Sequence, residues 1–129
     1  RIMLAIKTVL ASRDQIPTMI FDEIDTGISG KTAWKVSEKL GHLSQSHQII
    51  CITHLPQIAA MSDNHYKIAK QAVDSKTVTD IMQLDEKETV DELARMLGSD
   101  EITDTVRENA RELIATAQKK KACYCSDRK

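Results

Sequence analysis

Apolar positions along this 129-residue chain follow two rhythms. Two short unbroken runs, Met19-Ile20-Phe21 and Ile49-Ile50-Cys51-Ile52, are bounded by polar residues, the pattern of strands buried in a parallel sheet. Between them Ala33, Val36, Leu40 and Leu43 recur at helical spacing, which predicts a helix over residues 31–43. Strand, crossover helix and strand make a βαβ unit, with both strand carboxyl ends on one edge. Further on, residues 55–61 read as a short helix, and 65–73 and 76–84 as two strands joined through Asp74-Ser75 in a hairpin. Asp85 and Glu88 have the spacing of a capping box before a helix bearing Val90, Leu93, Ala94 and Leu97, and Gly98 can close it. A last helix over residues 100–121 places Ile102, Val106, Ala110, Leu113, Ile114 and Ala117 on one face, with charged residues opposite. The expected fold class is α/β, with parallel strands and a crossover helix, then a β-hairpin and C-terminal helices.

Both apolar runs end in side chains capable of chemistry. The first delivers Asp22 and Glu23, and the second delivers Thr53 and His54. The carboxyl edge of parallel strands is where open α/β sheets bind ligands. A carboxylate pair directly after a buried strand suits phosphoryl transfer, since one acid can help hold the magnesium of a nucleotide while its neighbour orients or deprotonates water. Strand alternation would point Asp22 and Glu23 to opposite faces, which assigns Asp22 to metal and Glu23 to water. A plainer use of Asp22 or Asp25 is to cap the helix that follows.

The run from Thr18 to Gly30, Thr-Met-Ile-Phe-Asp-Glu-Ile-Asp-Thr-Gly-Ile-Ser-Gly, together with Ile52-Thr53-His54-Leu55-Pro56-Gln57-Ile58-Ala59, resembles the ATPase heads of the RecN family. These are bacterial DNA-repair proteins related to the SMC proteins, within the ABC-type ATPases. The resemblance implies a Walker B strand ending at Asp22 as magnesium ligand, Glu23 as general base, and a D-loop from Asp25 through Ser29 and Gly30. It also implies a switch role for His54, in contact with the γ-phosphate. ABC transporters usually read Asp-Glu-Pro at the Walker B and close the D-loop with aspartate, whereas this chain has Ile24 and Ser29 there. By the same resemblance the cofactors are ATP and Mg2+, and the partners are the N-terminal half of the same head and a second head in an ATP-dependent homodimer. DNA would be met through the full-length protein, in the bacterial cytoplasm at the nucleoid.

No Gly-x-x-x-x-Gly-Lys-Ser/Thr occurs, so the loop and lysine that cradle phosphates are not encoded in these residues. Residues 1–11 read as a buried helix without a cap, which in the family directly follows the Leu-Ser-Gly-Gly signature. The expectation is a single partial domain over 1–129, the C-terminal portion of an ATPase head, inactive alone.

Composition changes this picture little. The chain is 41% hydrophobic with formal net charge −1, no run approaches membrane-spanning length, and no extended basic face argues for DNA affinity by itself. Three cysteines and no signal peptide suit a reducing compartment. Cys51 reads as a buried thiol, and Cys123-Tyr124-Cys125 lacks the further ligands a zinc site needs. His42, His47 and His65 read as surface or turn residues, Trp34 as packing, and Lys119-Lys120-Lys121 as a complement to a helix C-terminus. Two other functional classes stay open. One is a non-catalytic interaction module on the same fold, and the other a metal-dependent phosphoesterase whose Asp22, Glu23, Asp25 and His54 hold the ion themselves.

Overall fold

The computed structural model describes residues 4, 6, 16–73, 76–98 and 101–126, with side chains described outside 71–76 and 124–126. Strand β1 (Thr18–Asp22) is followed by helix α1 (Gly30–Leu43), strand β2 (Gln48–Ile52) and the short helix α2 (Pro56–Ala59). Strands β3 (Tyr66–Val73) and β4 (Lys76–Gln83) come next, then helices α3 (Glu86–Met96) and α4 (Asp104–Ser126). The helix expected over residues 1–11 lies outside the described residues, apart from helical Leu4 and Ile6, and so does the 74–75 turn. The chain divides into two compact units, one formed by residues 1–61 with 113–129 and the other by 62–112.

In the first unit β1 and β2 pair in parallel, from Thr18 opposite Gln48 to Asp22 opposite Ile52. Met19 and Phe21 are buried and pack with Ala33, Val36, Leu40 and Leu43 of α1, while Ile49 and Cys51 of β2 are partly buried against the same cluster. The alternate residues Ile20, Ile50 and Ile52 are exposed. Among the described residues the strands are therefore covered on one face only, where the unbroken apolar runs predict cover on both. Helix α1 begins at Ser29, whose extended backbone serves as N-cap without a side-chain cap bond, so neither Asp22 nor Asp25 is the cap. The three lysines also have a different setting from the one expected. Because α4 continues to Ser126, they lie inside the helix rather than at its end, and Lys120 pairs with Glu38 and sits 5.5 Å over the Trp34 ring. His47 lies in the turn between α1 and β2 but is buried there rather than at the surface, with Nδ1 2.8 Å from Ser46 Oγ.

In the second unit β3 and β4 form an antiparallel ladder, from Tyr66 opposite Gln83 to Val73 opposite Lys76. The capping box is complete: Glu88 N–H donates to Asp85 Oδ1 at 2.8 Å, and Asp85 N–H donates to Glu88 Oε2 at 2.9 Å. Gly98, at φ +87°, ends α3 in the left-handed conformation that favours glycine. Lys67 of β3 reaches Glu92 of α3 at 2.7 Å, and Arg107 reaches Asp91 at 2.7 Å. Helix α4 starts at Asp104, later than the apolar spacing suggests, because the Thr103 hydroxyl accepts from Val106 N–H and sets the first turn there.

Candidate nucleotide-hydrolysis site

Parallel pairing in direct register brings the ends of β1 and β2 side by side. Asp22 closes β1 on the same open face as Ile20, and its carboxylate is exposed. The strand stops at once, because Glu23 has φ +50°, a left-handed conformation rare for a residue with a side chain. Strand alternation therefore ends at Asp22. The turn, not the pleat, sets the direction of Glu23. Two tight steps follow, with Thr26 N–H donating to the Glu23 carbonyl at 3.3 Å and Ile28 N–H to the Asp25 carbonyl at 3.2 Å. Gly27, at φ +69°, meets the second left-handed position at little steric cost. Glu23, Ser29 and Gly30 are all exposed.

The turn also carries Asp25 inward. Asp25 is 1% exposed, and its Oδ2 gathers three groups from the end of β2. The Thr53 hydroxyl donates to it at 2.5 Å, His54 backbone N–H donates at 2.9 Å, and His54 Nδ1 lies at 3.1 Å. Leu55 N–H in turn donates to Thr53 Oγ1 at 3.0 Å. Burial pushes the Asp25 carboxyl up, but the bonds from Thr53 and His54 outweigh it and leave the group below the ordinary carboxylate range. The His54 side chain, by contrast, is 70% exposed. On the covered face, burial and the charges of Asp25 and Asp22 push the Cys51 thiol up to about 11.

The structure thus brings Asp25 and His54 into contact. Thr53, to which the sequence reading gave no role, joins them. Gln57 is a second addition: its Oε1 is buried without a hydrogen-bond partner among the described residues, as is Asp25 Oδ1. The polar pair straight after the apolar run marks Thr53 without giving it a partner. Nothing in the spacing marks Gln57. Among the described residues no three His, Cys, Asp or Glu groups gather as a metal cage, and Asp25 is buried whereas Asp22 and Glu23 are exposed. An exposed carboxylate at a strand end does fit Mg2+ carried with a nucleotide, since that ion takes one or two protein carboxylates and fills its shell with phosphate oxygens and water.

No protein-family model matches the chain. DNA repair protein RecN of Halalkalibacterium halodurans is 44% identical over 117 residues, covering 91% of this chain and 21% of that protein. RecN of Bacillus subtilis is 44% identical over 121 residues, 94% of this chain and 21% of its own length. That of Treponema pallidum is 42% identical over 127 residues, 98% and 22%. The chain belongs with the RecN family over this stretch. It spans about a fifth of the length of those RecN proteins. In three dimensions it is similar, at a TM-score of 0.62 and 19% identity, to a solved SMC ATPase chain, covering 77% of this chain and 59% of that one. That structure belongs to work on ATP-driven dimerization and DNA-stimulated activation of SMC ATPases. The α/β fold is accordingly shared with that SMC ATPase structure. No helix among the described residues is long and apolar enough to cross a membrane.

Proposed function

We propose that this RecN-family segment carries the Walker B, D-loop and switch elements of an ATPase acting in DNA repair and recombination. The observation that supports this most is the junction of the two strand ends, where Asp25 ties the turn after Asp22-Glu23 to His54. In this reading Asp22 holds Mg2+ with the nucleotide, where the ion neutralises charge on the phosphate oxygens. Glu23, exposed on the turn that ends β1, accepts a proton from the attacking water. His54 presents its exposed ring to the γ-phosphate, while Ser29 and Gly30, exposed at the start of α1, face a second head.

The phosphate-cradling loop comes from the N-terminal half of the head. Exposed Ile20, Ile50 and Ile52 support this, because a parallel pair left open on one face calls for another layer. The partners are that half, a second ATP-bound head, and DNA met by the whole protein, which works at the nucleoid.

The test uses the complete protein. Glu23→Gln keeps size and hydrogen bonding but removes the proton acceptor, and should slow hydrolysis by about 10²–10⁴-fold with ATP binding retained and head dimers accumulating. Asp22→Asn should weaken magnesium-dependent ATP binding, and His54→Ala should lower turnover. Near-normal turnover in Glu23→Gln, or loss of ATP binding as severe as in Asp22→Asn, overturns the assignment of the base.

A further inference from the structure

We propose that Asp25 is the positioning residue for His54, holding the imidazole with its proton on Nδ1 and leaving Nε2 as the outward working atom. This rests on the reading of His54 given above. The argument begins with the division of exposure: the carboxylate is 1% exposed and the imidazole side chain 70% exposed, so the anchor is inside and the ring outside. A buried carboxylate is costly unless donors surround it. Here one oxygen takes all of them, the Thr53 hydroxyl, the His54 N–H and the edge of the His54 ring.

Proton placement follows from this arrangement. Leu55 N–H occupies a lone pair of Thr53 Oγ1, and the hydroxyl hydrogen is directed at Asp25. The backbone bond at 2.9 Å fixes where His54 leaves the strand, and the 3.1 Å approach of Nδ1 fixes which ring edge turns inward. An unprotonated Nδ1 would set its lone pair against a carboxylate oxygen. A protonated one is attracted to it. The tautomer is thereby chosen by Asp25, and Nε2 is the nitrogen left to meet water or a phosphate oxygen. Asp25 itself touches neither, so it acts through His54.

The experiment has a spectroscopic arm and a kinetic arm. In the 129-residue chain labelled with 15N-histidine, at a pH where the ring is neutral, His54 should show the Nδ1–H tautomer, its signal assigned by loss in His54→Gln. Asp25→Ala should return His54 to the Nε2–H form that a solvated histidine prefers, whereas Asp25→Asn, which keeps an accepting oxygen, should preserve Nδ1–H. In the complete protein Asp25→Ala should lower kcat about tenfold with KM for ATP within about twofold, and Asp25→Asn should recover most of the rate. Combining Asp25→Ala with His54→Ala should cost no more than His54→Ala alone. An Nε2–H tautomer in the unmutated chain overturns the proposal whether or not Asp25→Ala folds. Full turnover in His54→Ala alongside the predicted tautomers overturns the catalytic assignment of His54 and leaves the control by Asp25 standing.

Discussion

Asp25 combines near-complete burial with a charge held below the usual carboxylate range by the Thr53 and His54 donors. A group whose folded pKa is depressed stabilises the fold above its unfolded value, near 3.9, and that contribution is lost as pH falls through the lowered folded value. Acid titration followed by circular dichroism should therefore show a loss below about pH 4 that is shallower in Asp25→Asn. At neutral pH Asp25→Ala leaves the Thr53 hydroxyl and the His54 backbone N–H unpaired, while the exposed ring can turn to water, and should cost about 2–3 kcal/mol by chemical denaturation. Glu23 tests a different stress. Its left-handed backbone carries about 1 kcal/mol of strain, so Glu23→Gly should leave stability unchanged or raised by up to about that amount while removing the carboxylate. The candidate residues Asp22, Glu23 and His54 were legible because they stand at the ends of apolar runs. The inward turn of Asp25 was not, because it depends on left-handed backbone at Glu23, a residue type that seldom adopts it.

The elements that follow local rules were the most readable. Helix α1 begins and ends within a residue of its apolar spacing, and α3 has the capping box that Asp85 and Glu88 announce. Asp85→Ala should lower stability by about 1 kcal/mol, seen as a shift in denaturant midpoint. Leu93, 1% exposed in α3, is a core position where truncation to alanine should cost about 2–5 kcal/mol. Helix α4 was read less well, since the apolar spacing runs back to Ile102, whereas the helix begins at Asp104 with the Thr103 hydroxyl at its first turn. The lysine run illustrates the same limit. Composition suggested a helix terminus, but Lys120 is engaged by Glu38 and Trp34 from α1, which no local pattern links to it.

For the molecule as a whole, the uncovered face of the parallel pair dominates expected behaviour. Ile20 is 69% exposed, and Ile50 and Ile52 lie on the same face, so the isolated chain should self-associate with rising concentration in sedimentation velocity. Ile20→Lys with Ile52→Lys should keep it monomeric without unfolding it, because neither side chain enters the cluster around Phe21 and Leu40. The isolated chain is also expected to show no magnesium-dependent ATPase above background, since positioning of the phosphates carries most of the rate in phosphoryl transfer and no cradle sequence is encoded here. Activity abolished by Asp22→Ala would contradict that expectation.

By itself the sequence determined the βαβ order, the hairpin, the capped helix and the kinship with RecN, because periodicity, caps and a contiguous motif act over short separations. Tertiary structure decided which strand face is covered, that Lys120 meets Glu38, and that Asp25 joins Thr53 and His54 across nearly thirty residues. These outcomes turn on how a left-handed turn and a parallel register place groups distant in the chain. Hydrophobic patterning says that such positions are buried or polar; it carries no information on which buried charge will face which donor.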